Sequence, residues 1–233
     1  MRTDYENKQL TAYENKAQPY VLVAVPMKPD LSPKIFKRCM AAVGSLTYPH
    51  RDGVVHNGPF EPDPSRACSR QAAARNRVLE DGVKPRHTHV LIMDADIVGA
   101  PADLIERLLE VSMTDIVAPH VYTEKLKPHQ PGSFKNGGWF YDTGAFIQDG
   151  KTRNMWQPDL PGVQEMDSVG CCYLMPADIW RKGVRYEPVG HEIDHLSFMR
   201  GAKALGYRIW ATSEIVVEHA YLPKYGEEWH VWP

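Results

Sequence analysis

A chain of 233 residues with 43% hydrophobic and 24% charged side chains is long enough for one large α/β domain that buries its core without disulfide staples. A net charge of −2 and a pI near 6.5 exclude a global pull toward nucleic acid or an anionic membrane, leaving only local patches for such partners. No stretch approaches the ~20 apolar residues of a transmembrane segment, and the N-terminus lacks the apolar core of a signal peptide, so an intracellular, soluble, cytoplasmic enzyme is expected.

Residues 1–18 are polar and read as an N-terminal arm. A continuous apolar run over 20–25, stopped by Pro26, has the pattern of a buried parallel strand. Ser32 and Pro33 then offer an N-cap and a first-turn proline for a helix reaching about Gly44, with Phe36, Cys39, Met40 and Val43 inward. A short strand around Val54 and Val55 stops at Asn57-Gly58, and Ser65 can cap a helix running to Asp81 and ended by Gly82. The next strand, over 89–93, delivers Asp94-Ala95-Asp96 at its carboxyl end, after which Pro101 opens a helix through Met113 and a strand follows over 116–119. This alternation predicts a single domain over 19–222 with a doubly wound, mainly parallel central sheet, whose ligand crevice lies at the carboxyl ends of the strands.

Residues 120–165 lose periodicity and read as a partly mobile insertion on the acceptor side of that crevice. Beyond it, a strand is expected over 168–175, a helix from Pro176 to Lys182, and a helix from about Ile193 to Leu205 with Gly206 as its left-handed cap. Two strands, over 208–211 and 215–218, lead to His219, and residues 223–233 form an aromatic tail. The four cysteines Cys39, Cys68, Cys171 and Cys172 contain no C-x-x-C pair, and neighbours 171 and 172 point to opposite faces of any strand, so reduced thiols are expected.

The chemistry concentrates at the aspartates. In an extended segment Asp94 and Asp96 fall on one side, and two like charges held together call for a cation between them. Mg²⁺ or Mn²⁺ suits such oxygen ligands and brings a diphosphate with it. Arg75 on the upstream helix can meet that diphosphate with charge-assisted bonds. His219, at a strand end on the same sheet edge, completes an O,O,N ligand set.

These segments resemble GT-A glycosyltransferases, in the family-2-like and mannan-polymerase groups. The resemblance is carried by Ala74-Arg75-Asn76, by 89–98 with its D-x-D, by 115–119, 168–180, 192–210 with its closing Leu205-Gly206-Tyr207, and by 217–222. It implies a sugar transferred from a nucleoside-diphosphate donor, UDP- or GDP-linked, to a hydroxyl acceptor, with Mn²⁺ or Mg²⁺ as cofactor. The resemblance further implies metal ligation by Asp94, Asp96 and His219, and donor contacts from Pro26, Asn57, Arg75, Asp94 and Ala95. Gly170 corresponds to the small residue where sugar and acceptor approach the backbone. The family's two consecutive acids on the acceptor side are reduced here to Asp194-His195, so Asp194 is the first candidate catalytic acid, Glu192 the second, and His195 an acceptor-side neighbour. Loss of the second acid leaves inversion and retention both open.

Two other classes compete. His191-Glu192-Ile193-Asp194-His195 satisfies the H-E-x-x-H zinc-peptidase pattern, although Pro188 and Gly190 crowd its start and the paired aspartates go unused. A non-catalytic nucleotide-sugar-binding module would use the same donor residues without turnover. For the acceptor, Lys125, Lys127, His129 and Lys135 make a basic rim suited to an anionic molecule such as DNA with a hydroxymethylated base. Trp139 and its aromatic neighbours could stack on a sugar of a polysaccharide or on a base.

Overall fold

The computed structural model describes residues 18–27, 31–56, 67–123, 139–140, 145–149, 152–155, 162–187 and 194–220. Calls on the arm, Asn57, Ser65, Lys125 to Lys135, Glu192 and the aromatic tail fall outside these residues.

The chain opens with β1 (Val21–Pro26), α1 (Pro33–Ser45), β2 (Arg51–His56), α2 (Ala67–Gly82) and β3 (His89–Met93). Both β1 and β3 are buried along their full length, and apart from His89, whose ring bonds the Met113 carbonyl, their side chains are apolar on both faces. β2 and β3 pair in parallel with opposite sides of β1, so the strand order reverses there. α1 crosses one face of the sheet and α2 the other, which leaves a crevice at the carboxyl ends of β1 and β3.

Pro33 takes the first turn of α1, and Ser32 sits at the cap position without a side-chain cap bond. At the end of α2, a Cβ on Gly82 would lie 2.7 Å from Val54 Cγ1 and 2.9 Å from Leu22 Cδ2, so its absence lets the helix close onto the strands.

Beyond β3 lie β4 (Ile97–Gly99), α3 (Leu104–Val111) and β5 (Ile116–Thr123). α3 starts three residues after Pro101, whose carbonyl accepts the Leu104 N–H at 3.1 Å in a preceding turn. The region expected to lack periodicity contains regular strands: β6 (Trp139–Phe140), the hairpin of β7 (Phe146–Asp149) and β8 (Thr152–Met155), and β9 (Val163–Glu165). Polar alternation in such short strands is too brief to read as a period.

β10 (Cys172–Pro176), α4 (Ala177–Arg181), α5 (Asp194–Ala204) and β11 (Ile209–His219) complete the described chain. The sheet order is β2-β1-β3-β10-β5-β11-β4, with β6 on β5 and β9 on β11. β2, β1, β3, β5 and β11 run one way, while β10 enters the centre antiparallel to both β3 and β5. The strand expected from Ser168 is shorter than predicted, since Ser168 makes only an isolated bridge to Phe146. Gly206, at φ +88°, ends the turn after α5 as expected.

Alternation along the strands divides the core. Leu22, Ala24, Val90, Ile92, Tyr173 and Met175 face α2, α4 and α5, while Val21, Val23, Leu91, Met93 and Leu174 face α1 and α3. β11 changes sides midway. Its partner on β5 advances from Pro119 to His120 while β11 advances from Thr212 to Val216, an insertion of odd length. Ile209 and Ala211 therefore join one core, and Ile215 and Val217 the other. The two strands expected at 208–211 and 215–218 are one strand with this bulge between them.

Candidate functional site

β3 crosses the core and releases the chain at the carboxyl edge, where the backbone turns at once. The Ile97 N–H donates to the Asp94 carbonyl at 2.9 Å, and the Asp94 N–H donates to the Cys171 carbonyl at 2.9 Å. The extended segment expected at Asp94-Ala95-Asp96 is thus a turn. β4 has to reverse to pair antiparallel with β11, so the alternation of β3 ends at Met93. The two carboxylates consequently meet different partners.

Asp94 meets α2. Arg75 shares the inward face of that helix with Ala72, Val78 and Leu79, and its Nη2 donates to Asp94 Oδ1 at 2.8 Å and Oδ2 at 2.9 Å. The two side chains are 4% and 10% exposed, so each buried charge is compensated by the other.

Asp96 meets the end of β11. His219 Nε2 lies 3.2 Å from Asp96 Oδ1, and both side chains are 1% exposed. His219 Nδ1 lies 2.8 Å from the Ala220 carbonyl, which can only accept, so Nδ1 carries a proton. In the neutral ring Nε2 then presents its lone pair to the carboxylate. The Ala220 N–H donates to the Asp96 carbonyl at 2.7 Å and keeps the two segments in register. A second proton on the ring would make the contact an ion pair, and with a neutral ring the two acceptors can share a cation. The spacing fits a cation: neighbouring ligands of an octahedral ion with bonds of about 2.1 Å lie about 3.0 Å apart.

Among the described residues, no group of three His, Cys, Asp or Glu side chains is placed to hold a metal ion. Beneath the turn, Cys39 Sγ lies 3.8 Å from the Asp94 carbonyl. Burial first, then the negative charges of Asp96 and Asp94, push this thiol up to about 12.

Residues 66–160 match the model of the Anp1 family, a stretch that includes Arg75, Asp94 and Asp96. The vanadate resistance protein of Candida albicans is 26% identical over 180 residues, which are 64% of this chain and 40% of that protein. The mannan polymerase complex subunit mnn9 of Schizosaccharomyces pombe is 25% identical over 171 residues, 64% of this chain and 50% of that protein. The chain therefore spans half the length or less of these relatives. A crystal structure of GalNAc-T7 with UDP, GalNAc and Mn²⁺ matches with a TM-score of 0.58 at 12% identity, covering 89% of this chain and 45% of that one. The chain has the GT-A fold.

In this GT-A chain, Pro26 ends β1 on the same edge as the turn. Gly170 is buried and precedes Cys171, whose carbonyl holds Asp94, so it too stands at the site. Ala95, in the turn itself, is 3% exposed. Trp139 opens β6, paired through Thr123 to the carboxyl end of β5, and its side chain is outside the described residues. Asp194 is the first residue of α5, again without a described side chain, and His195 beside it is 5% exposed. The α-helix begins at Asp194, and 191–193 lie outside the described residues. None of the described helices is long and apolar enough to cross a membrane.

Three contributors to this edge carry no pattern a sequence reading could use. The Ala220 and Cys171 carbonyls act through the backbone. Tyr186 lies under Arg75, its ring centre 5.8 Å from the guanidinium carbon, in a short link that has neither helical nor strand period. The motif Ala74-Arg75-Asn76 draws attention to Arg75, yet Asn76 is the residue that grips Tyr186.

Proposed function

We propose that this chain transfers a sugar from a nucleoside-diphosphate donor to a hydroxyl of a polysaccharide, with Asp96 and His219 holding a divalent cation, Mn²⁺ or Mg²⁺. The observation that carries the reading is the close approach of His219 Nε2 to the Asp96 carboxylate, 3.2 Å, with Nδ1 committed to the Ala220 carbonyl, on the crevice edge of a GT-A sheet. Support for the donor class comes from the UDP and Mn²⁺ of the GalNAc-T7 structure, and for the acceptor class from the mannan polymerase subunit. The relatives favour a polysaccharide acceptor over modified DNA.

The residues divide the work. Asp96 and His219 supply two ligands, few enough to leave positions for donor phosphates and water, as Mg²⁺-type sites do. A bound cation supplies charge compensation for the departing diphosphate. Asp94 fixes Arg75 at the head of the crevice instead of adding a third ligand. The same guanidinium, with its five donors, meets a diphosphate oxygen. Pro26 and Asn57 line the nucleoside, and Gly170 admits the sugar. Asp194 accepts the acceptor's proton in an inverting reaction, or orients the acceptor in a retaining one, with Glu192 as its alternate.

A panel of UDP- and GDP-sugars, scored by release of nucleoside diphosphate, tests the reading. Release is expected with Mn²⁺ and lost with chelator; release that ignores chelator removes the cation from the proposal. In Asp194→Asn, turnover should fall more than donor affinity, and unchanged turnover transfers the acid's role to Glu192.

A further inference from the structure

Arg75 is held on a second side that the proposed transfer chemistry does not use. Its guanidinium carbon, 5.8 Å from the centre of the Tyr186 ring, is within the ~6 Å over which an aromatic face attracts a cation. Tyr186 is 1% exposed, and both its backbone and its side chain are engaged. Its N–H donates to Asn76 Oδ1 at 3.0 Å, and its carbonyl accepts from Asn76 Nδ2 at 2.9 Å. One amide side chain thus engages the backbone as a neighbouring strand would. The Tyr186 hydroxyl bonds that of Tyr173 on β10. Its ring stacks on Phe198 of α5, with centres 4.3 Å apart and planes inclined by 12°. Glu187, the next residue, donates its N–H to Ser197 Oγ of α5 at 2.8 Å.

Two features separate this arrangement from ordinary core packing. Asn76 follows Arg75 on α2, so the helical turn that presents the guanidinium also sets the ring beneath it. The Tyr186-Glu187 segment also ties α2 to α5, and α5 begins at Asp194. We infer that Tyr186 is a positioning residue whose ring fixes Arg75 relative to α5, keeping the donor diphosphate in register with the acceptor-side acid. This inference rests on the donor site proposed above. A tyrosine that only fills space would affect stability and leave the two sites uncoupled.

Titration calorimetry of Mn²⁺ with GDP and with UDP, on the full chain, provides the test. Tyr186→Leu removes the aromatic face and should weaken binding by about 5- to 30-fold while far-UV circular dichroism stays unchanged. Tyr186→Phe, which keeps the face, should recover most of that loss. Arg75→Gln should weaken binding as well, and adding Tyr186→Leu to it should cost nothing more, because the ring acts through the arginine. Should Tyr186→Leu fail to fold, Asn76→Asp places an acceptor against the Tyr186 carbonyl and should weaken binding in the same Arg75-dependent way. Losses that add, or full affinity in a folded Tyr186→Leu, overturn the inference and leave the donor site standing. Absence of nucleotide binding by the wild type overturns both.

Discussion

The two ends of the central sheet each carry a buried histidine beside an aspartate, and the two pairs are wired in opposite senses. At the amino ends of β1, β2 and β3, His87 Nδ1 accepts the Lys84 N–H at 2.9 Å, so the proton sits on Nε2 and points at Asp52 Oδ2, 2.9 Å away. Arg86 Nε adds a bond to the same oxygen at 3.0 Å, and the Tyr20 hydroxyl donates to Oδ1 at 3.3 Å. Donors meet acceptors, and the cluster closes on itself. At the carboxyl ends, the Ala220 carbonyl claims a proton of His219 on Nδ1, so in the neutral ring a lone pair faces Asp96. The backbone partner of the far nitrogen, rather than the presence of a His–Asp pair, separates a structural clasp from a place suited to a cation.

Disrupting each end in turn tests the contrast. The largest effect is expected at the carboxyl end from Asp94→Ala, which takes the buried carboxylate away from the Arg75 guanidinium and should cost about 3–5 kcal/mol in urea unfolding. A smaller loss than 1 kcal/mol would mean that the pair is relaxed in solution. Asp96→Asn, two residues away, should do the reverse. Its amide can donate to His219 Nε2, so stability should hold or rise, while Mn²⁺-dependent nucleotide release falls by about 10² or more. Mn²⁺ with nucleotide should raise the melting temperature of the wild type and leave that of Asp96→Asn unmoved.

At the amino end, Asp52→Asn should cost about 1 kcal/mol or less, since the Asp52 side chain is 29% exposed and its partner Arg86 50% exposed. Its pH dependence sharpens the comparison. Hydrogen bonding from Arg86 first, then from His87, holds the Asp52 carboxyl below its ordinary value. A carboxylate lowered by folding contributes stability above its unfolded value, near pH 4, and loses it as pH falls through the lower folded value. The stability gap between wild type and Asp52→Asn should therefore be constant from pH 7 to about 5 and close below pH 4. A gap that persists at pH 2.5 would assign it to packing instead of charge.

Much of the fold was legible because local rules governed it. The apolar runs of β1 and β3, the proline at the start of α1 and Gly206 after α5 stood where periodicity and punctuation put them. The GT-A resemblance was legible for the same reason, since its strand ends and helix starts keep their order. Less legible was anything decided by pairing. Nothing in the apolar run of β10 announces an antiparallel strand between two parallel ones. The break in pattern between Ala211 and Ile215 looked like two strands, because a bulge and a loop leave the same mark on periodicity.

The candidate site divides along the same line. Residue types alone singled out Arg75, Asp94, Asp96 and His219, since charged and titratable side chains at strand ends are chemically conspicuous. Which of them face each other depended on the turn at Asp94, on the position of α2 over the sheet, and on the Ala220 carbonyl. Those contacts join residues 19 and 123 positions apart (75 to 94, 96 to 219), and a proton's place on an imidazole is set by its neighbours in space. Sequence carries the inventory of charges, whereas their pairing, and with it the sense of the His219–Asp96 contact, belongs to the packed structure.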